Sequence, residues 1–187
     1  LYSSYIGIID KSLYDKHITF LICSVLGNNL KIDFYKNPLY ILFYAILQLA
    51  LGGPLAEEIG WRGFLLPRLQ RKLSPFQASL AIGIVWACWH LPLYFIADTS
   101  QYGNSFYVFL MATIGYAIAI TWVFNRTNGS LLISILFHTA INTTLEMIYG
   151  VMKIISSHIC TMAIAEMIII GIIVFDMIKR KHIKYTI

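Results

Sequence analysis

The sequence predicts an all-α fold, a polytopic transmembrane helix bundle, on three observations. Of its 187 residues, 58% are apolar and only 12% are charged, where a soluble domain carries about 25%; so few polar groups cannot coat a globule in water. The apolar residues fall in runs, at 38–57, 79–97, 105–124, 130–149 and 155–178, each close to the roughly 20 residues that cross a bilayer as a helix. Turn-forming residues punctuate them: Asn37-Pro38, Ser74-Pro75, Asp98-Thr99-Ser100 through Gly103-Asn104, and Thr127-Asn128-Gly129. A soluble enzyme and a disordered tail are both excluded.

The length is that of a single domain. A weaker apolar run, from His17 to Leu30, and residues 1–9, read as the end of a helix truncated upstream, make 1–37 an N-terminal helical segment. Residues 38–178 form the transmembrane core and 179–187 a basic tail. Fourteen Lys and Arg stand against nine Asp and Glu, a net charge of +5. The basic residues lie between the apolar runs with no basic face of interleaved aromatics, so the excess reads as membrane orientation and not as nucleic-acid binding. Arg62, Arg68, Arg71, Lys72, Arg126 and the tail with Lys179, Arg180, Lys181 and Lys184 are expected on the cytoplasmic side. The loop 98–104, without Lys or Arg, is expected outside, with Lys153 a mild exception. Cys23, Cys88 and Cys160 form no CxxC or CxxH pair, which leaves them as small buried hydrophobes.

Charges at bilayer depth cost about 2.5–3.5 kcal/mol each on insertion scales, so they are functional candidates. The first group is Glu57-Glu58-Ile59-Gly60-Trp61-Arg62, with apolar sequence on both sides. On a helix Glu58 and Arg62 share a face and can pair, while Glu57 points about 100° away. A desolvated carboxylate beside a second one suits a general base; a cytoplasmic cap rimming Arg62 and Arg68 is the plainer alternative. Gly52, Gly53 and Gly60 are expected to let neighbouring backbones approach. The second group is His90, one turn after Trp86, in a segment that Pro92 is expected to kink. It is a catalyst or a packed interior histidine, and the Trp residues an aromatic belt or part of the interior. The third is His138 and Asn142, four apart, which can donate to a developing oxyanion or simply glue two helices.

Together these residues sit on three spans at helical spacing, which independent accidents explain poorly. A metal site is conceivable from Glu and His, but HExxH is absent and no cysteine joins the set, so neither a metal nor another cofactor is called for. There is no GxSxG, although Ser134 lies one turn before His138. Glu146, His158, Glu166 and Asp176 read as packing or interface residues, and Asn128-Gly129-Ser130 as a helix-capping turn. At about 1.5 Å per residue, Glu57 lies about 16 Å from Arg68 and His138 about 18 Å from Arg126, but His90 about 27 Å from Lys72. A kinked or re-entrant segment after Arg62, broken at Pro67 and Ser74-Pro75, is expected to reconcile these depths.

At these residues the sequence resembles the CPBP family, which holds CAAX-prenyl endopeptidases and bacteriocin-processing, or ABI, proteins. Glu57-Glu58-Ile59-Gly60-Trp61-Arg62 fits its EExxxR motif, and the flanking GFLLPRLQ is also family-like. His90 fits FxxxH, with Trp86 in place of Phe, a change that keeps a large aromatic. His138 and Asn142 meet the third motif, HxxxN, and the match runs over about 50–145. The resemblance implies an intramembrane cavity in which a glutamate-dependent peptidase works. Glu57 with His90 would activate a water, His138 and Asn142 would form the oxyanion site, and Glu58 with Arg62 would hold the first glutamate's surroundings. Older descriptions of the family call it metal-dependent, which nothing in these residues requires.

Two further readings compete with the peptidase. One is a non-catalytic bacteriocin self-immunity or regulatory protein that binds a partner membrane protein. The other, a small-solute carrier, lacks the repeated span pattern of such proteins. The implied partners are membrane lipid and a peptide or lipidated protein substrate. The short, Ile-rich chain looks like a bacterial member, which places it in the plasma membrane.

Overall fold

The computed structural model describes residues 38–179 apart from Gly52, Asp98, Ser100 and 153–158, with side chains described for most of 39–145 and for 167–179. The expected segment 1–37, Lys153, His158 and the tail beyond Lys179 lie outside the described residues, as do the side chains of Glu146, Cys160 and Glu166. The described residues hold helices and no strand. In chain order they are α1 (Pro38–Leu51), α2 (Pro54–Gln70), α3 (Pro75–His90), α4 (Phe106–Arg126), α5 (Leu131–Met152) and α6 (Ile159–Lys179). A short 3-10 stretch, Leu91–Phe95, extends α3. Pro75–Phe95 and Phe106–Arg126 are each long and apolar enough to cross a membrane. The bent pair of α1 and α2 adds a third span if counted as one, and Leu131–Leu145 is a shorter apolar helix.

The first expected span, 38–57, is two helices whose axes differ by 49°. Gly53 stands between them at φ 98, which a side chain disfavours, and Pro54 opens α2, where its missing N–H costs nothing. Within α2 the α-helical turn Pro54–Glu58 widens to π-helical geometry over Ile59–Leu65 and returns to α over Leu66–Gln70. Pro67 accounts for the widening: it has no N–H for the carbonyl of Gly63, and its ring crowds that carbonyl. The expected break at Pro67 therefore does not occur. The chain bends before Glu57 instead, and breaks again where expected, at Ser74-Pro75. There Ser74 and Gln77 form a reciprocal capping box at the start of α3. The Asn128-Gly129-Ser130 turn also behaves as read: Asn128 and Gly129 take positive φ, and the Ser130 hydroxyl accepts from the Ile133 N–H.

α3 and α4 pack antiparallel, with His90 against Phe109 at one end and Ala78 in one cluster with Phe124 at the other. Leu66, Ile82, Trp86, Ala117 and Ile120 complete that cluster. Gly83 sets the approach, since a Cβ there would lie 2.7 Å from the Cα of Ile114. Replacing Gly83 by Val should force the two helices apart and cost about 1–3 kcal/mol. Thermal unfolding of the purified chain in detergent measures it; an unchanged midpoint would refute the close crossing. Gly60, in contrast, faces open space, and the close approach expected of it is not found.

α6 packs on α4 through Ile118, Ala119, Ile173 and Met177. Asp176 accepts from Trp122 Nε1 at 2.9 Å and from Arg126 Nη2 at 2.9 Å, so the C-terminal ends of α4 and α6 are joined. The antiparallel α3–α4 pair brings Arg71 and Lys72 to this same end. Leu39, Phe95, Tyr107, Val108, Met111 and Phe175 are among the exposed large apolar side chains, as on a surface that meets acyl chains. Cys88 is exposed on α3, which corrects its reading as a buried hydrophobe.

Candidate active site

Helices α2, α4 and α5 meet around the Glu58–Arg62 pair. Glu58 Oε1 accepts from Arg62 Nη1 at 2.8 Å and from His138 Nδ1 at 2.9 Å. Arg62 Nη2 also donates to the carbonyl of Ala117 on α4, at 3.2 Å. Glu58 and Arg62 are 0% exposed and His138 3%, so the cluster is dry. An ion pair persists there only because each charge has its partner. The carboxylate acceptor requires a proton on His138 Nδ1 and leaves Nε2 for other chemistry.

Glu57 sits beside this cluster in a different state. It is half-buried and makes no side-chain hydrogen bond or ion pair among the described residues. Its carboxylate folds back over Gly53, where a Cβ would collide with Oε1. The glycine thus serves the glutamate's position as well as the bend. Glu57 Oε2 is shielded from solvent with no partner among the described residues, as are Glu58 Oε2, Arg62 Nε, Trp61 Nε1 and Trp86 Nε1.

Trp86, 5% exposed, connects α3 to the cluster. Its ring lies 5.0 Å from that of His138, 6.5 Å from that of Trp61, and 5.7 Å from the Arg62 guanidinium carbon. His90 lies one turn further on. Its Nδ1–H donates to the Trp86 carbonyl at 2.9 Å, and its ring meets Trp86 at 6.3 Å, Trp89 at 5.0 Å and Phe109 at 5.2 Å. Both histidines therefore flank one indole. Trp86, one turn before His90, is the α3 residue in ring contact with His138. Asn142, half-buried, is one turn past His138 on α5, and its side chain makes no hydrogen bond among the described residues.

Of the six residues singled out from the sequence, Glu58, Arg62 and His138 are thus in direct contact. Glu57 is their neighbour, while His90 and Asn142 lie one helical turn away along α3 and α5. Sequence reasoning missed Thr121. The hydroxyls of Thr113, Thr127, Thr139 and Thr143 each bond the carbonyl four residues back. For Thr121 that carbonyl is Ala117, which accepts from Arg62 instead, and its fully buried hydroxyl has no partner among the described residues. Gln48 was missed as well: it is 7% exposed on α1 and donates to the Tyr44 hydroxyl at 2.6 Å. A lone Gln within an apolar run was the available signal.

Among the described residues no group of three or more His, Cys, Asp or Glu could hold a metal ion.

Fold and site together define a class: a helical membrane protein with a buried Glu–Arg–His cluster beside a glutamate that has no ion-pair partner among the described residues. The chain belongs to the type II CAAX prenyl endopeptidase Rce1-like family, whose pattern matches residues 38–144. It is similar to CAAX prenyl protease 2 of Methanococcus maripaludis (strain DSM 14266), with 35% identity over 112 residues. The match covers 57% of this chain and 41% of that protein, so the chain spans less than half the length of this relative. No solved structure matches it.

Proposed function

We propose that this chain is an intramembrane endopeptidase that hydrolyses a peptide bond in a prenylated or leader-type, membrane-associated peptide. The contrast between the two adjacent glutamates carries this reading. Glu58 is neutralised by Arg62 and bound to His138, and a carboxylate so engaged is a poor base. Glu57, with an unpartnered oxygen, is the one able to take a proton from water as that water attacks the carbonyl carbon. His90 helps to hold that water. His138, held by Glu58 through Nδ1, turns Nε2 to the oxyanion, and Asn142 adds a donor. The basic end, with Arg71, Lys72, Arg126 and Lys179, faces the cytoplasm of a bacterial cell.

The test is cleavage of a farnesylated peptide ending in Cys and three further residues, by the full chain in proteoliposomes, read by mass spectrometry. His138→Ala should lower kcat by about 10²–10³-fold, the usual effect of losing an oxyanion donor. Cleavage at the wild-type rate in the His138→Ala chain would remove that histidine from the reaction. Absence of cleavage by the wild-type chain, with this peptide and with leader-type peptides alike, would instead favour a regulatory protein that binds a partner in the membrane.

A further inference from the structure

Trp86 occupies the place of the Phe in the FxxxH pattern and, unlike Phe, carries an N–H. That N–H is shielded and has no hydrogen-bond partner among the described residues, although the side chain is 95% buried. A buried donor left unmade costs about 1–3 kcal/mol, and the surrounding bilayer offers no water to offset it. Trp122 shows the contrary case in the same chain, since its Nε1 donates to Asp176. The position is also central: the Trp86 ring touches both histidines and lies against Arg62.

We propose that the indole N–H of Trp86 is a substrate-binding donor, which hydrogen-bonds a backbone carbonyl oxygen of the peptide held between His90 and His138. This rests on the peptidase reading and adds a specificity residue to it. The ring contacts run from Trp86 through Trp61 to Trp89, which is 60% exposed. A peptide entering from the lipid side would part these rings to reach the N–H. The acceptor is a ground-state carbonyl, so the bond strengthens substrate binding and leaves the chemical step alone.

The test uses the full chain in nanodiscs with ¹⁵N in the tryptophan indoles, of which there are four. The probe is the farnesylated peptide with its scissile amide N-methylated, so that it binds uncut. Trp86→Phe assigns the signal; should that chain fail to insert, Phe at Trp61, Trp89 and Trp122 assigns it by elimination. The Trp86 indole proton should move downfield on titration while that of Trp122 stays, and an amidated C-terminus should leave the shift intact. With cleavable peptide, Trp86→Phe should raise KM about three- to tenfold, as one neutral hydrogen bond is worth, at unchanged kcat. Cleavage with a silent Trp86 signal and an unchanged KM would overturn the donor and leave the peptidase standing. A shift lost on amidation would overturn the backbone carbonyl as acceptor. No cleavage, with no indole moved, would overturn the peptidase reading and the donor together.

Discussion

Glu57→Gln should insert and fold as the wild type does and cleave the farnesylated peptide about 10²–10⁴-fold more slowly, the usual worth of a general base. The substitution keeps the size and shape of the side chain and removes only its charge. No ion pair is lost, because Glu57 has none among the described residues, and the Glu58–Arg62–His138 cluster keeps every bond it has. A near-normal melting temperature beside a collapsed kcat is therefore the expected pair of measurements. Retained turnover would exclude Glu57 as the base, and lost folding would show it to be a structural residue.

Arg62→Met should act in the opposite way, on the fold before the chemistry. It strands Glu58 as a fully buried anion with only His138 for a partner, and it removes the bond from α2 to the Ala117 carbonyl. Breaking a buried pair on one side costs about 3–5 kcal/mol, enough to deplete folded protein in the membrane. Replacing both partners, Arg62→Met with Glu58→Gln, should recover most of that stability, since an ion pair exchanged for uncharged groups of similar volume is often neutral. It should not recover cleavage, because His138 loses its carboxylate. Thermal unfolding of the three chains, with activity read in parallel, measures both; a double variant no more stable than the single one would refute the buried-charge account.

Much of this site was legible in the residues alone. Charged and hydrogen-bonding side chains in a lipid-embedded span are expensive enough to stand out, and an i, i+4 spacing is enough to pair Glu58 with Arg62. That His138 would bond Glu58 was not legible. The two are 80 positions apart, and nothing in either helix states how α5 is rotated against α2. Pro67 was visible as a disturbance, but whether a proline breaks a helix or widens one turn depends on what packs around it. Thr121 was invisible for a similar reason: its hydroxyl is idle only because an arginine from another helix has taken the carbonyl it would otherwise use.

Hydropathy, charge and turn residues by themselves determined a helical membrane chain and the segments that carry its polar groups, because those follow from the cost of placing backbone and charge in hydrocarbon. The tertiary structure decided which glutamate is bound and which is left unpaired, where the chain bends, and that Trp86 stands between the two histidines. Such facts depend on how helices are turned and spaced against one another. That is set by close packing at places such as Gly83 and the carbonyl of Ala117, and it has no periodicity for a single strand of sequence to display.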